Sequence, residues 1–144
     1  MDIALEPKDF EQAKSGAITG PIWLRHQGVE FPERGWSDFP VVILGWWLKH
    51  VADLARGAKS ALCSFMDGPF EFSVTSEVPG ICRLQLARRG VEAKSVVSEF
   101  TVDAITLHAS LHTAAATVLA ECDRRGWAGR DIEDLRASAR AGRH

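Results

Sequence analysis

This sequence predicts an α+β fold: a two-layer sandwich in which a mostly antiparallel sheet of four to six strands packs against two main helices. Three patterns carry that prediction. Apolar and polar residues alternate with period two through residues 60–100, interrupted by turn dipeptides. Apolar residues recur at helical spacing over about 38–56, and again over about 102–125. Short connections between consecutive strands make the 60–100 region an antiparallel meander.

The elements follow in chain order. Met1 to Glu6 alternates weakly, as a short strand would, and Pro7 ends it. Asp9 to Lys14 reads as a helical turn before Gly16, so residues 1–16 are expected to be a loose N-terminal segment. Pro21 to Phe31 is rich in strand formers, with Ile22 and Leu24 on one face and Trp23 and Arg25 on the other. Pro32, Gly35 and the Ser37-Asp38 pair then mark a loop leading to a helix N-cap. Pro40 suits a first helical turn and Gly57 a C-cap; between them Leu44, Trp47, Leu48, Val51 and Leu54 form the buried stripe. Val42, Ile43 and Trp46 extend the apolar surface around the first half of this helix, which therefore needs cover on several sides.

The meander begins with Ser60 to Asp67 and Phe70 to Glu77 around Gly68-Pro69. In its second strand Phe70, Phe72 and Val74 alternate with Glu71, Ser73 and Thr75. Val78-Pro79-Gly80 has the residues of a type II turn. Ile81 to Arg88 and Val91 to Phe100 complete the four strands. Thr101 is placed to cap the long helix, whose face Ala104, His108, Leu111, Ala115, Val118 and Cys122 is expected to lie on the sheet. Gly126 ends it, and a short helix over 131–141 follows. With 144 residues and no linker or internal repeat, the whole chain 1–144 is expected to be a single α+β domain.

Composition narrows the function. A share of 46% apolar and 25% charged residues is that of a globular protein rather than a disordered one. The formal net charge of −2 argues against non-specific nucleic-acid binding as the main activity, and no apolar run is long enough to span a membrane. Acidic residues in the first ten positions differ from the basic start of a secretory signal, so the expected location is cytoplasmic. Cys63, Cys82 and Cys122 are too few and too dispersed for a disulfide framework or a zinc site, and read as small buried apolar residues.

Candidate chemistry is sparse. His108 and His112 share a helix face at the spacing of paired metal ligands, and are the residues on which a small metal-dependent or acid–base enzyme would be centred. Ala109, Ser110 and Leu111 lie between them, with no acid in the position of a metalloprotease base, so no metal or cofactor is expected. No serine sits in a nucleophile elbow and no glycine-rich phosphate loop is present, so no catalytic residue is assigned. Asp67 in the hairpin turn reads as a local cap. The segment 28–38 is aromatic and acidic together, and residues 1–40 hold seven acids and four bases. Aromatics beside charge are the material of binding hot spots, so Glu30, Glu33, Trp36, Asp38 and Trp46 are the expected partner-binding residues.

The run WSDFPVVILGWWLKHVADL, the FMDGPFEF hairpin, the meander and the long C-terminal helix together resemble small bacterial immunity proteins of contact-dependent and polymorphic toxin systems. The likeness covers about residues 20–125. It implies a cytoplasmic protein without enzymatic activity that binds and occludes a cognate toxin domain, such as a nuclease. A third expectation comes from the apolar first half of the first helix, through which the chain would associate as a homodimer or within a larger assembly.

Overall fold

The computed structural model describes residues 1–141 and contains two antiparallel sheets and three helices. The first sheet gathers β1 (Asp2–Leu5), β2 (Glu11–Gln12), β3 (Ile18–His26), β4 (Val29–Phe31) and β5 (Ser37–Asp38) around β3, which pairs with all four others. The helix α1 (Pro40–Ala55) then leads into the second sheet. Here β6 (Ser60–Ser64), β7 (Phe70–Val78), β8 (Ile81–Arg89) and β9 (Lys94–Asp103) pair in sequence order as a meander. The helices α2 (Ala104–Arg125) and α3 (Arg130–Ala141) close the chain. This is the α+β architecture the patterning predicts, with the strands before α1 forming a sheet of their own.

The N-terminal third departs from its reading in three places. Pro21 to Phe31 is not one strand but a hairpin, because Gln27 and Gly28 both take positive φ, 47° and 80°. That pair of left-handed residues is the two-residue turn that matches strand twist. The single helical turn sits at Pro7–Asp9 rather than over Asp9 to Lys14, and Glu11–Gln12 pairs with β3 instead. Residues 1–16 are tied down, not loose: β1 lies in register with Ile22 to Arg25, and the Phe10 ring is buried. Arg125 on α2 adds a clamp by donating from Nη2 to the carbonyls of Pro7, at 3.2 Å, and Lys8, at 3.0 Å.

The core is one cluster running from Met1 to Leu135. At its centre Trp47 meets Phe65 and Phe72 edge-on, with ring centroids 5.1 and 5.0 Å apart. Phe31 of the first sheet meets Phe65 and Phe70 of the β6–β7 hairpin, and His26 meets Phe100 of β9, so aromatic contacts join the two sheets. The helix α1 packs within this fold on β3, β6, α2 and α3, and in its first half Val41, Ile43, Leu44 and Trp47 are buried while Trp46 stays exposed. The face of α2 is Leu107, Leu111, Ala114, Ala115, Val118 and Cys122; it packs on α1, α3 and β1 more than on the meander. Ala104 and His108 are only partly buried.

Gly80, with φ 85°, supplies the left-handed position of the Pro79-Gly80 turn. The cap of α2 is Asp103, not Thr101; its Oδ2 accepts the Thr106 N–H at 2.9 Å, because β9 continues through Val102 into the core. Glu71 keeps the alternation of β7 in direction but not in exposure. It points away from Phe72 yet is only 2% exposed, because Lys94 Nζ at 2.6 Å and Arg89 Nη1 at 3.5 Å fold over its carboxylate.

At the other end of α2, hydrogen bonds from Arg124 and then Arg125 hold the Glu121 carboxyl down at about 2. A folded-state value below the unfolded one means that its contribution is complete above about 4.5 and is lost as pH falls through about 2. A carboxyl-detected NMR titration should place the Glu121 midpoint near 2. The double variant Arg124→Ala, Arg125→Ala should return it toward the ordinary glutamate range.

Candidate functional site

The predicted binding residues divide into a connected group and one outlier. Trp36 sits on the loop between β4 and β5, its N–H bonded to the Glu33 carbonyl at 3.1 Å. Its ring meets Phe70 edge-on at 5.2 Å, and its indole N–H donates to Asp38 Oδ2 at 3.0 Å. Gly68 is where the hairpin approaches this ring: φ is 72°, and a Cβ there would come within 3.1 Å of both Trp36 and Phe70. The tryptophan is therefore held in one orientation and half-buried.

Asp38 is a correction. It is 2% exposed and neither caps α1 by its side chain nor faces outward. Oδ1 accepts the N–H groups of Phe39 at 2.8 Å and Met66 at 3.2 Å, while Oδ2 accepts those of Asp67 at 3.1 Å and the Trp36 indole. Its four acceptor positions are used inside the molecule, tying the start of α1 to the β6–β7 hairpin. The consequence is to hold the Asp67 amide on the same carboxylate oxygen as the Trp36 indole, and the Asp67 residue itself is exposed. Glu33 is exposed as well. Glu30 keeps 28% side-chain exposure but is compensated by Arg25, whose Nε lies 3.1 Å from Oε1 across the β3–β4 ladder. That pairing follows from the Gln27-Gly28 turn, which sets residue 25 opposite residue 30.

Trp46 lies elsewhere. One position along α1 from the fully enclosed Trp47, it remains 40% exposed. It lines a groove of about 770 Å³ between α1 and α3, together with Gly45, Lys49, Asp131, Asp134 and Ser138. No contact joins it to Trp36 or Glu33 among those described.

The chain matches no protein-family model, no curated protein and no solved structure. Its chemistry is set by the residues present. No group of three or more histidine, cysteine or acidic side chains gathers as a metal cluster among the described residues. Cys63, Cys82 and Cys122 are all buried, and burial pushes the Cys63 thiol up, which leaves it inert as a nucleophile. His50 Nδ1 lies 2.9 Å from the Leu62 carbonyl. His26 Nε2 is buried without a hydrogen-bond partner among the described residues, and desolvation holds the ring's pKa below its usual value, with the nearby N-terminal amine acting in the same direction. No helix of the described residues is long and apolar enough to cross a membrane.

Proposed function

We propose that this chain is a cytoplasmic binding protein of the immunity type, which covers the active surface of a toxin domain, and that it recognises a basic partner such as a nuclease. The observation that carries the reading is a tryptophan fixed by Asp38, Phe70 and Gly68, with two exposed acidic residues, Glu33 and Asp67, whose backbones are hydrogen-bonded to Trp36 and to Asp38. A pre-set aromatic costs little entropy to bury, and exposed acids steer a cationic partner into place. Trp46 supplies a second aromatic anchor on the α1–α3 side. Asp38 positions the surface, and Glu30, compensated by Arg25, contributes little charge to it.

Co-expression with the protein encoded beside it tests the reading. The expected result is relief of that protein's toxicity and a stable complex of the two chains. Glu33→Lys with Asp67→Lys should slow association and flatten its salt dependence, because steering acts on the encounter rate. Trp46→Ala should cost about 2–4 kcal/mol of binding while changing folding stability by less than about 0.5 kcal/mol. A neighbour that is harmless and forms no complex would remove the proposal.

A further inference from the structure

His26 ends β3 opposite Val29 of β4, beside the Gln27-Gly28 turn. Its ring meets Phe100 of β9 edge-on, with centroids 4.7 Å apart and planes inclined by 82°. The residue is therefore a contact between the N-terminal sheet and the outer strand of the meander. The ring as a whole is half-buried, but Nε2 is sealed from solvent and reaches no hydrogen-bond partner among the described residues.

The charges that act on this ring come from β1. The N-terminal amine opposes a positive charge on it, and Asp2 favours one. That strand is held in place by pairing with β3 and by the Ser110 hydroxyl of α2, which donates to the Met1 carbonyl. On β4, Glu30 is engaged by Arg25. On β9, Ser98 and Val102 share the face of Phe100 and carry no charge, while Glu99 and Asp103 alternate to the other face. In an imidazolium both ring nitrogens carry a hydrogen. Whichever tautomer the neutral ring holds, the charged one places an N–H at the sealed Nε2 with no acceptor to receive it. A charged donor left unmet in such a place is costly, and parting from Phe100 gives it water.

We infer that His26 is a proton-sensitive latch between the two sheets: neutral, it holds the β3–β4 hairpin against β9, and protonated it releases the hairpin. Desolvation, and then the amine, lower the ring's pKa in the closed form. The latch is therefore complete above the ordinary value of 6.5 and weakens as pH falls below it, levelling off at the closed-form value. Between those limits the ratio of open to closed rises about tenfold per pH unit. Neither His26 nor Phe100 belongs to the surface around Trp36, so the latch is independent of the binding reading.

Imidazole NMR of the unaltered chain, titrated from roughly pH 8 to 5, should place the His26 midpoint below 6.5. Hydrogen exchange of the β3–β4 amides then measures the opening. Exchange is catalysed by hydroxide, so amides whose opening ignores pH slow in step with hydroxide on acidification. In the unaltered chain the β3–β4 rates should instead stay nearly level between 6.5 and the His26 midpoint. His26→Phe keeps a ring against Phe100 and binds no proton, so its rates should fall with hydroxide throughout. A His26 midpoint at or above 6.5 would overturn the inference. So would β3–β4 exchange in the unaltered chain that simply follows hydroxide, or level rates that persist in His26→Phe.

Discussion

Replacing Asp38 with alanine should cost about 3–5 kcal/mol of folding stability, a large part of the margin of an ordinary domain. The carboxylate is 2% exposed and is the sole described acceptor for three backbone N–H groups and the Trp36 indole. Each buried donor left without an acceptor costs about 1–3 kcal/mol. Partial access of water to the Met66 and Asp67 amides places the total below a simple sum. Asp38→Asn retains one acceptor oxygen but turns an amide NH₂ toward donors, so it should lie between wild type and alanine. Urea denaturation followed by tryptophan fluorescence measures all three. A loss under about 1 kcal/mol for the alanine variant would show that the carboxylate does not hold the hairpin to α1.

Asp38 also shows where sequence reading stops. Its partners Met66 and Asp67 are 28 and 29 residues away, and an aspartate before a proline-led helix looks like a cap until that distance is closed. The meander was legible because every signal agreed: period-two patterning, a Pro-Gly turn and short connections all belong to neighbouring residues. The first sheet was not, because a Gln-Gly turn is a weak signal within a run of strand formers, and missing it hid both β4 and the Arg25–Glu30 pair. Glu71 followed the alternation but not its usual consequence, since Lys94 and Arg89 come from strands whose register the alternation does not fix. The spacing of His108 and His112 was plain in the sequence, whereas the approach of their nitrogens depends on side-chain angles.

The sharpest difference between adjacent residues should be at Trp46 and Trp47. Successive positions on a helix point about 100° apart, so both fit the apolar surface of α1 and only the cover above them separates their roles. Trp47 is fully enclosed, edge-on to Phe65 and Phe72, and its indole N–H donates to the Ser64 carbonyl at 2.8 Å. Trp47→Ala removes the largest buried ring and opens a cavity between α1 and the meander, an expected loss of about 3–5 kcal/mol. The lost hydrogen bond adds to this because the carbonyl remains at the helix–sheet contact. Trp47→Phe keeps an aromatic in contact with Phe65 and Phe72 but gives up the donor, so its loss should be nearer 1–2 kcal/mol, about that of one buried bond and a small cavity. Trp46→Ala, facing the groove beside α3, should leave the urea midpoint almost unchanged. If Trp46→Ala destabilises as much as Trp47→Phe, the α1–α3 side is core rather than surface, and Trp46 has no ring to offer a partner.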